Sequence, residues 1–137
     1  MTKSIVIAAT GLFAFSLVGL AEEKVDTSKL PPPAQKQGLT YETDIKPIFD
    51  KSCVKCHGPK KQKAKLRLDS LEAALKGSKH GKDINPGDST DSPLVHRVGH
   101  LGKMDDWMPP MKHEKENPPL TAEQVGLIRA WIDQGAK

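Results

Sequence analysis

The stretch Cys53-Val54-Lys55-Cys56-His57 contains both cysteines of this chain of 137 residues. Residues three apart lie on the same side of a helical turn, so the two sulfur atoms face one ligand, and His57 follows directly. This spacing is the attachment signature of c-type haem, in which each thiol forms a thioether and the histidine ligates the iron. The motif therefore predicts one haem c, bound covalently through Cys53 and Cys56, with His57 as an iron ligand.

Three other interpretations of the motif compete with haem. A thioredoxin-like Cys-x-x-Cys requires a βαβ setting, of which the sequence pattern shows no sign. Zinc requires further ligands; His96 and His100 are spaced as a pair, but there is no third cysteine, and 39 residues separate His57 from His96. A local disulfide suits an oxidising compartment, but it leaves the small number of core residues unexplained.

The composition favours a cofactor in the core. Of the 50 apolar residues, 14 lie in the first 21 positions, which leaves 36 among the other 116 residues, with four aromatic side chains. Burial of apolar surface must offset an ordering cost of roughly 1–2 kcal/mol per residue. A buried porphyrin would supply the missing part of this core. With only two cysteines, the chain cannot be a multi-disulfide scaffold.

The first 21 residues have the pattern of a secretory signal peptide. Lys3 supplies the positive charge, Ile5 to Leu20 is an uncharged, mainly apolar run, and the segment ends on a small-x-small cleavage site at Ala21. The alternative is a retained anchor, since the run is only slightly shorter than the roughly 17–25 residues that span a bilayer. We expect cleavage before Glu22, and hence a periplasmic or otherwise exported protein that keeps no membrane span.

The mature chain is predicted to divide into a Pro-rich flexible linker at residues 22–39 and one domain at residues 40–137. Capping residues mark the starts of four short helices in the domain, and glycines mark the ends of most of them. These helices are expected at about 41–51, 69–77, 92–99 and 121–135. No segment alternates as a half-buried strand would, so the sequence predicts an all-α fold.

The segment from Lys51 to Arg67 contains seven Lys and Arg residues and no acidic residue. A nucleic-acid-binding role would usually need an aromatic or groove-reading element as well, and we expect none in an exported chain. The basic run is therefore either a solvated loop or a docking face for an acidic protein partner.

The order of motifs resembles the planctomycete-type cytochrome c domain. The matching motifs are Cys-x-x-Cys-His-Gly (53–58), Leu66-Arg67-Leu68-Asp69-Ser70, Ala73-Ala74-Leu75-Lys76-Gly77, Pro86-Gly87-Asp88, Ser92-Pro93-Leu94, Met108-Pro109-Pro110, Leu120-Thr121-Ala122-Glu123 and Trp131-Ile132-Asp133-Gln134-Gly135-Ala136. The resemblance covers about residues 40–137. It implies a class I cytochrome c-like bundle around one haem, in which the first and last helices cross and a His and a Met hold the iron.

The resemblance places the sixth iron ligand on Met108. Its thioether is a soft, neutral ligand that raises the reduction potential relative to a second histidine. The alternatives that lie close enough in sequence are Met104, Met111, His96, His100 and His113.

Other side chains have expected roles around the haem. Phe49 and Trp131 are expected in the core where the terminal helices meet, and Trp107 at the haem edge. Arg67 is either a partner for a haem propionate or an exposed member of the basic run. We expect His80 to be exposed in a loop.

Taken together, these features predict an electron-transfer protein that carries single electrons between protein redox partners, and not an enzyme. One alternative is the haem subunit of a larger exported oxidoreductase, or a peroxidase-like haem enzyme with His100 or His113 as its acid–base group. The other alternative is a non-haem binding module held by a disulfide or zinc.

Overall fold

A computed structural model describes residues 24–137, so the predicted signal peptide at 1–21 lies outside the described residues. In this part of the chain there are four α-helices and no β-strand, which confirms the all-α prediction. The helices are α1 (Lys46–Ser52), α2 (Leu71–Lys76), α3 (Pro93–Val98) and α4 (Ala122–Asp133). A π-helical turn, Tyr41–Ile45, leads directly into α1. None of the helices between residues 24 and 137 has the length and apolar character needed to cross a membrane.

The helices begin and end where local chemistry favours it. Thr121 and Gln124 form a capping box at the start of α4, in which each side chain accepts a hydrogen bond from the other residue's backbone amide. The Ser70 hydroxyl caps α2 by accepting from the amide of Ala73. Gly77 ends α2 with a φ of 87°, a conformation that favours glycine.

Three aromatic side chains form the centre of the core where α4 packs against the π-helical turn and α1. Tyr41, Phe49 and Trp131 are all buried, with ring centroids 6.1 to 6.4 Å apart. Burial raises the pKa of the Tyr41 phenol, which keeps its proton and donates a 2.8 Å hydrogen bond to the carbonyl oxygen of Leu68. The first and last helices of the domain are thereby joined, and the loop that contains Leu68 is tied to them.

Residues 24–39, for which the sequence pattern predicts a flexible linker, lie against α4. Leu30 and Leu39 are buried in the core, and the amide of Ala34 donates to the Gly126 carbonyl oxygen of α4 at 2.9 Å. A Cβ atom on Gly126 would lie 2.7 Å from the carbonyl oxygen of Pro32, so the glycine permits this close approach. The polar, Pro-rich composition does not reveal such contacts, because backbone groups and two leucines make most of them.

Polar side chains of α4 hold both this N-terminal segment and the loop before α3. The Asp133 carboxylate accepts from the Ser89 amide at 2.7 Å and from the Ser89 hydroxyl at 3.0 Å. The Arg129 guanidinium donates to the carbonyl oxygen of Pro31 and to the Ser89 hydroxyl. Helix α4 is therefore the element around which the other segments are arranged.

We predict that Leu30→Ala lowers the free energy of unfolding by about 2 kcal/mol, because it removes a buried side chain that packs in the core. Gln35→Ala, an exposed position of the same segment, should change it by less than about 0.5 kcal/mol. Denaturant unfolding of the purified protein measures both values. Equal stability of the two variants would show that the segment does not pack on the domain.

Candidate cofactor site

The two cysteines and His57 lie on one tight turn at the end of α1. The carbonyl oxygen of Cys53 accepts hydrogen bonds from the amides of Cys56 at 3.0 Å and His57 at 2.9 Å. The amide of Cys53 in turn donates to the carbonyl oxygen of Phe49 at 2.8 Å, which continues α1 into the turn. The helix and its aromatic packing thus determine where all three side chains lie.

Gly58 allows this turn to close. A Cβ atom at position 58 would lie 2.4 Å from the carbonyl oxygen of Val54 and 2.7 Å from its Cγ1 atom. Neither contact is possible for a real side chain, so position 58 must lack one. The glycine that follows the motif in sequence therefore has a packing role within it.

The Cys53 thiol does not resemble the reactive thiol of a redox dithiol. Burial raises the pKa of the Cys53 thiol to about 12, whereas a reactive Cys-x-x-Cys has a lowered pKa. Both cysteines are free, so no disulfide joins them. Across residues 24–137, no group of three or more His, Cys, Asp or Glu side chains could hold a metal ion. The thioredoxin-like, disulfide and zinc interpretations therefore have no support in this structure.

The His57 ring is oriented for ligation through Nε2. Its Nδ1 atom lies 3.2 Å from the carbonyl oxygen of Lys63, and because a carbonyl only accepts, Nδ1 is the donor. Burial holds the pKa of His57 below its ordinary value, so the imidazole is neutral at neutral pH. A neutral imidazole with one nitrogen engaged presents the lone pair of the other nitrogen, the form that binds iron.

Met108 lies across the same cleft from the cysteine turn. Its amide donates to the carbonyl oxygen of Arg97 at 3.1 Å, which fixes the loop after α3, and its side chain packs against the core. Met104 and Met111, the other two methionines of the described chain, are 63% and 36% exposed and do not line the cleft. The structure thus brings Met108 to Cys53, Cys56 and His57, and leaves its two methionine competitors outside.

The cleft between the cysteine turn and the Met108 loop has a volume of about 200 Å³. Apolar side chains form much of its wall: Ala64, Leu66, Leu68, Leu94, Val98, Pro109 and Pro110. The cysteines, His57 and Met108 supply two thiols, an imidazole nitrogen and a thioether at the same wall. This donor set in a mainly apolar cleft fits haem c, which would be anchored by the two thiols and held at its iron by the imidazole and the thioether.

The remaining histidines separate into two groups. His80, which is exposed as expected, and the half-buried His113 line the cleft. His96 and His100 do not: the Nε2 atom of His96 lies 2.7 Å from the carbonyl oxygen of Thr90, and His100 stacks on Trp107 with ring centroids 4.7 Å apart. Trp107, for which the sequence predicts a place at the haem edge, therefore lies on a different surface groove.

Two arginines near the cysteine turn, Arg67 and Arg97, differ in their relation to the cleft. Arg67 forms a two-point ion pair with Asp69, at 2.9 and 2.6 Å, and does not line the cleft. Arg97 does line it, and its NH1 atom donates to the buried carboxylate of Asp83 at 2.7 Å. The sequence contains a usable signal for Arg97, because Leu94, Arg97 and Val98 have the i, i+3, i+4 spacing of one helix face.

Residues 53–112 match the family model described as Planctomycete cytochrome C. This match supports a planctomycete-type cytochrome c domain in the chain. The matched residues include the cysteine turn, His57 and Met108, so the family assignment and the cleft coincide. A cytochrome c domain implies haem c as the cofactor. No curated protein and no solved structure matches the chain.

We predict that Gly58→Ala lowers the free energy of unfolding of the cytochrome by about 3 kcal/mol, because the new Cβ forces Val54 away from the cysteine turn. The fraction of protein that carries haem should fall with it. Gly38→Ala is the control, since nothing lies within 4 Å of a Cβ there, although its φ is +68°. It should cost about 1 kcal/mol and keep the haem content. Equal haem content in both variants would contradict the packing role of Gly58.

Proposed function

We propose that the protein is an exported mono-haem c-type cytochrome that carries single electrons between protein redox partners. The haem is attached through Cys53 and Cys56, and His57 and Met108 hold the iron. The observation that carries the proposal is the convergence of these four side chains on one apolar cleft. The packing of α4 on the π-helical turn and α1 supports a class I arrangement of the bundle.

When bound, haem supplies a one-electron Fe(III)/Fe(II) couple. The residues of this chain would supply the ligands of the iron and its apolar surroundings. His57 presents neutral Nε2 because Nδ1 is held by the Lys63 carbonyl oxygen, and Met108 presents a thioether that favours the reduced iron. The leucines of the cleft exclude water from the site. If His57 and Met108 both hold the iron, no ligand position would remain for a substrate, which favours electron transfer over enzymatic chemistry.

A second candidate is a haem enzyme or the haem subunit of a larger exported oxidoreductase. One observation favours it: His113 is half-buried in the same cleft and would be near a reacting ligand if the Met108 side were open. Added cyanide or peroxide distinguishes electron transfer from the peroxidase-like haem enzyme. An unchanged absorption spectrum supports electron transfer, whereas a rapid spectral shift supports the enzyme.

Export is part of the proposal and is supported by the signal-peptide pattern of residues 1–21. Cleavage before Glu22 would leave a periplasmic or otherwise exported domain. The N-terminal amino-acid sequence of the protein recovered from the exported fraction tests this directly, since an intact Met1 would contradict cleavage.

We predict that Met108→Ala abolishes the weak sulfur-to-iron absorption band of the oxidised protein and lowers the reduction potential, because the thioether is lost as a ligand. Met111→Ala and Met104→Ala are matched controls from the same loop and should retain the band. Visible spectroscopy of the three oxidised variants is the measurement. Persistence of the band in Met108→Ala would reassign the sixth ligand.

We propose that the lysines from Lys51 to Lys65 form a docking face for an acidic redox partner. Lys51, Lys60 and Lys61 are exposed, while Lys55 has a loose 3.5 Å contact with Glu116. The run continues through the cysteine turn and so lies next to the cofactor cleft. Long-range attraction from such a surface accelerates encounters with a negatively charged partner.

We predict that the double variant Lys60→Glu, Lys61→Glu slows reduction of the haem by a small anionic reductant several-fold at low salt, and that added salt removes the difference. The double variant Lys24→Glu, Lys29→Glu makes the same change in net charge on the N-terminal segment. It should have a smaller effect in stopped-flow measurements. Equal slowing by both double variants would mean that only the net charge matters.

A further inference from the structure

An ion pair between Asp83 and Arg97 lies in the wall of the cofactor cleft. Asp83 is only 4% exposed, and its Oδ1 atom accepts from NH1 of Arg97 at 2.7 Å. Its Oδ2 atom is buried and has no hydrogen-bond partner in the described structure. The amide of Leu94 donates to the Asp83 carbonyl oxygen at 2.8 Å, so the start of α3 holds this residue in place.

A buried carboxylate is costly unless it is paired, so the position of Asp83 calls for a reason. Asp83 holds the guanidinium of Arg97 through one nitrogen only. The other edge of the guanidinium, formed by Nε and NH2, makes no hydrogen bond to any residue from 24 to 137. Such a planar edge matches a second carboxylate in two-point geometry.

Arg97 is the one arginine that lines the cleft in the part of the chain that the structure describes. Leu94 and Val98, on the same face of α3, are apolar walls of that cleft. The Arg97 side chain is 32% exposed, so it reaches from the apolar wall to the cleft opening. A cofactor with apolar rings and carboxylate side chains would place its carboxylates at this opening, where they remain near water.

We propose that Arg97, oriented by Asp83, binds a propionate carboxylate of the haem through its Nε–NH2 edge. This inference rests on the proposed haem-binding function. Propionate binding is thereby assigned to Arg97 instead of Arg67, because the Arg67 guanidinium forms an ion pair with Asp69. The guanidinium of Arg97 would then lie between two carboxylates, that of Asp83 and that of the propionate.

If the assignment is correct, loss of the Arg97 charge and loss of the Asp83 charge shift the reduction potential in opposite directions. Removing the cation at Arg97 leaves the negative charges of Asp83 and the propionate uncompensated, which stabilises Fe(III) relative to Fe(II) and lowers the reduction potential. Removing the negative charge of Asp83 acts in the other direction and raises it. Because Asp83 is buried, salt should weaken these shifts less than those of surface charges.

The experiment compares Arg97→Gln, Asp83→Asn and the control Arg67→Gln in the haem-loaded protein. Redox titration should show a lower potential for Arg97→Gln, a higher one for Asp83→Asn and almost no change for Arg67→Gln. The propionate bending band in the resonance Raman spectrum should shift in Arg97→Gln, as expected when a propionate loses a hydrogen bond. The sulfur-to-iron band should persist, since the backbone carbonyl of Arg97 still accepts from the Met108 amide.

An unchanged propionate band in Arg97→Gln, or potentials equal to that of Arg67→Gln, would overturn the assignment while leaving haem binding intact. Haem-free wild-type protein would instead overturn the proposed function itself. Should Arg97→Gln lose stability, Arg97→Lys is the second variant. It keeps the charge but lacks the fork, so it should shift the Raman band with a smaller change in potential.

Discussion

The carbonyl oxygen of Cys53 accepts two amide hydrogen bonds, and the turn that they close determines the rest of the site. It brings two thiols and an imidazole to one side of the chain at the end of α1. Gly58 permits the turn because no side chain fits against Val54. The position of α1 depends in turn on the contacts of Phe49 with Tyr41 and Trp131. Helix α1 therefore connects the aromatic core to the cofactor site.

The two halves of the molecule differ in how they are stabilised. On the α4 side, aromatic rings and buried leucines pack together, and the polar contacts of Arg129 and Asp133 hold the N-terminal segment and the loop before α3. On the other side, the cleft walls face one another across a space instead of packing together. This distribution accounts for the small apolar content of the chain, since the cofactor would complete the core where side chains do not.

Much of the fold follows from the sequence because short-range chemistry determines it. The capping box at Thr121, the proline at the first position of α3 and the glycine at the end of α2 depend only on near neighbours, and they lie at the helix ends that the sequence predicts. The cysteine turn follows from its own spacing. The packing of residues 24–39 could not be predicted in the same way, because it depends on a close approach to Gly126, about 90 residues away in sequence.

The candidate site was predictable to a similar degree. Cys53, Cys56, His57 and Met108 converge on the cleft, as the motif and the family resemblance together imply. Arg67 and Trp107 lie outside the cleft because each has another partner, Asp69 two residues away for the guanidinium and His100 for the indole. The helix-face spacing of Arg97 with Leu94 and Val98 does not by itself indicate the ion pair, because its partner Asp83 belongs to a loop with no motif of its own.

The central claim is that this cleft holds one covalently attached haem. Intact-protein mass spectrometry of chain coexpressed with the haem attachment machinery tests it most directly. We expect one added haem per chain and, for the reduced protein, an absorption spectrum typical of c-type haem. The haem adduct should be lost when both Cys53 and Cys56 are replaced by alanine. A colourless protein of unmodified mass under the same conditions would contradict it.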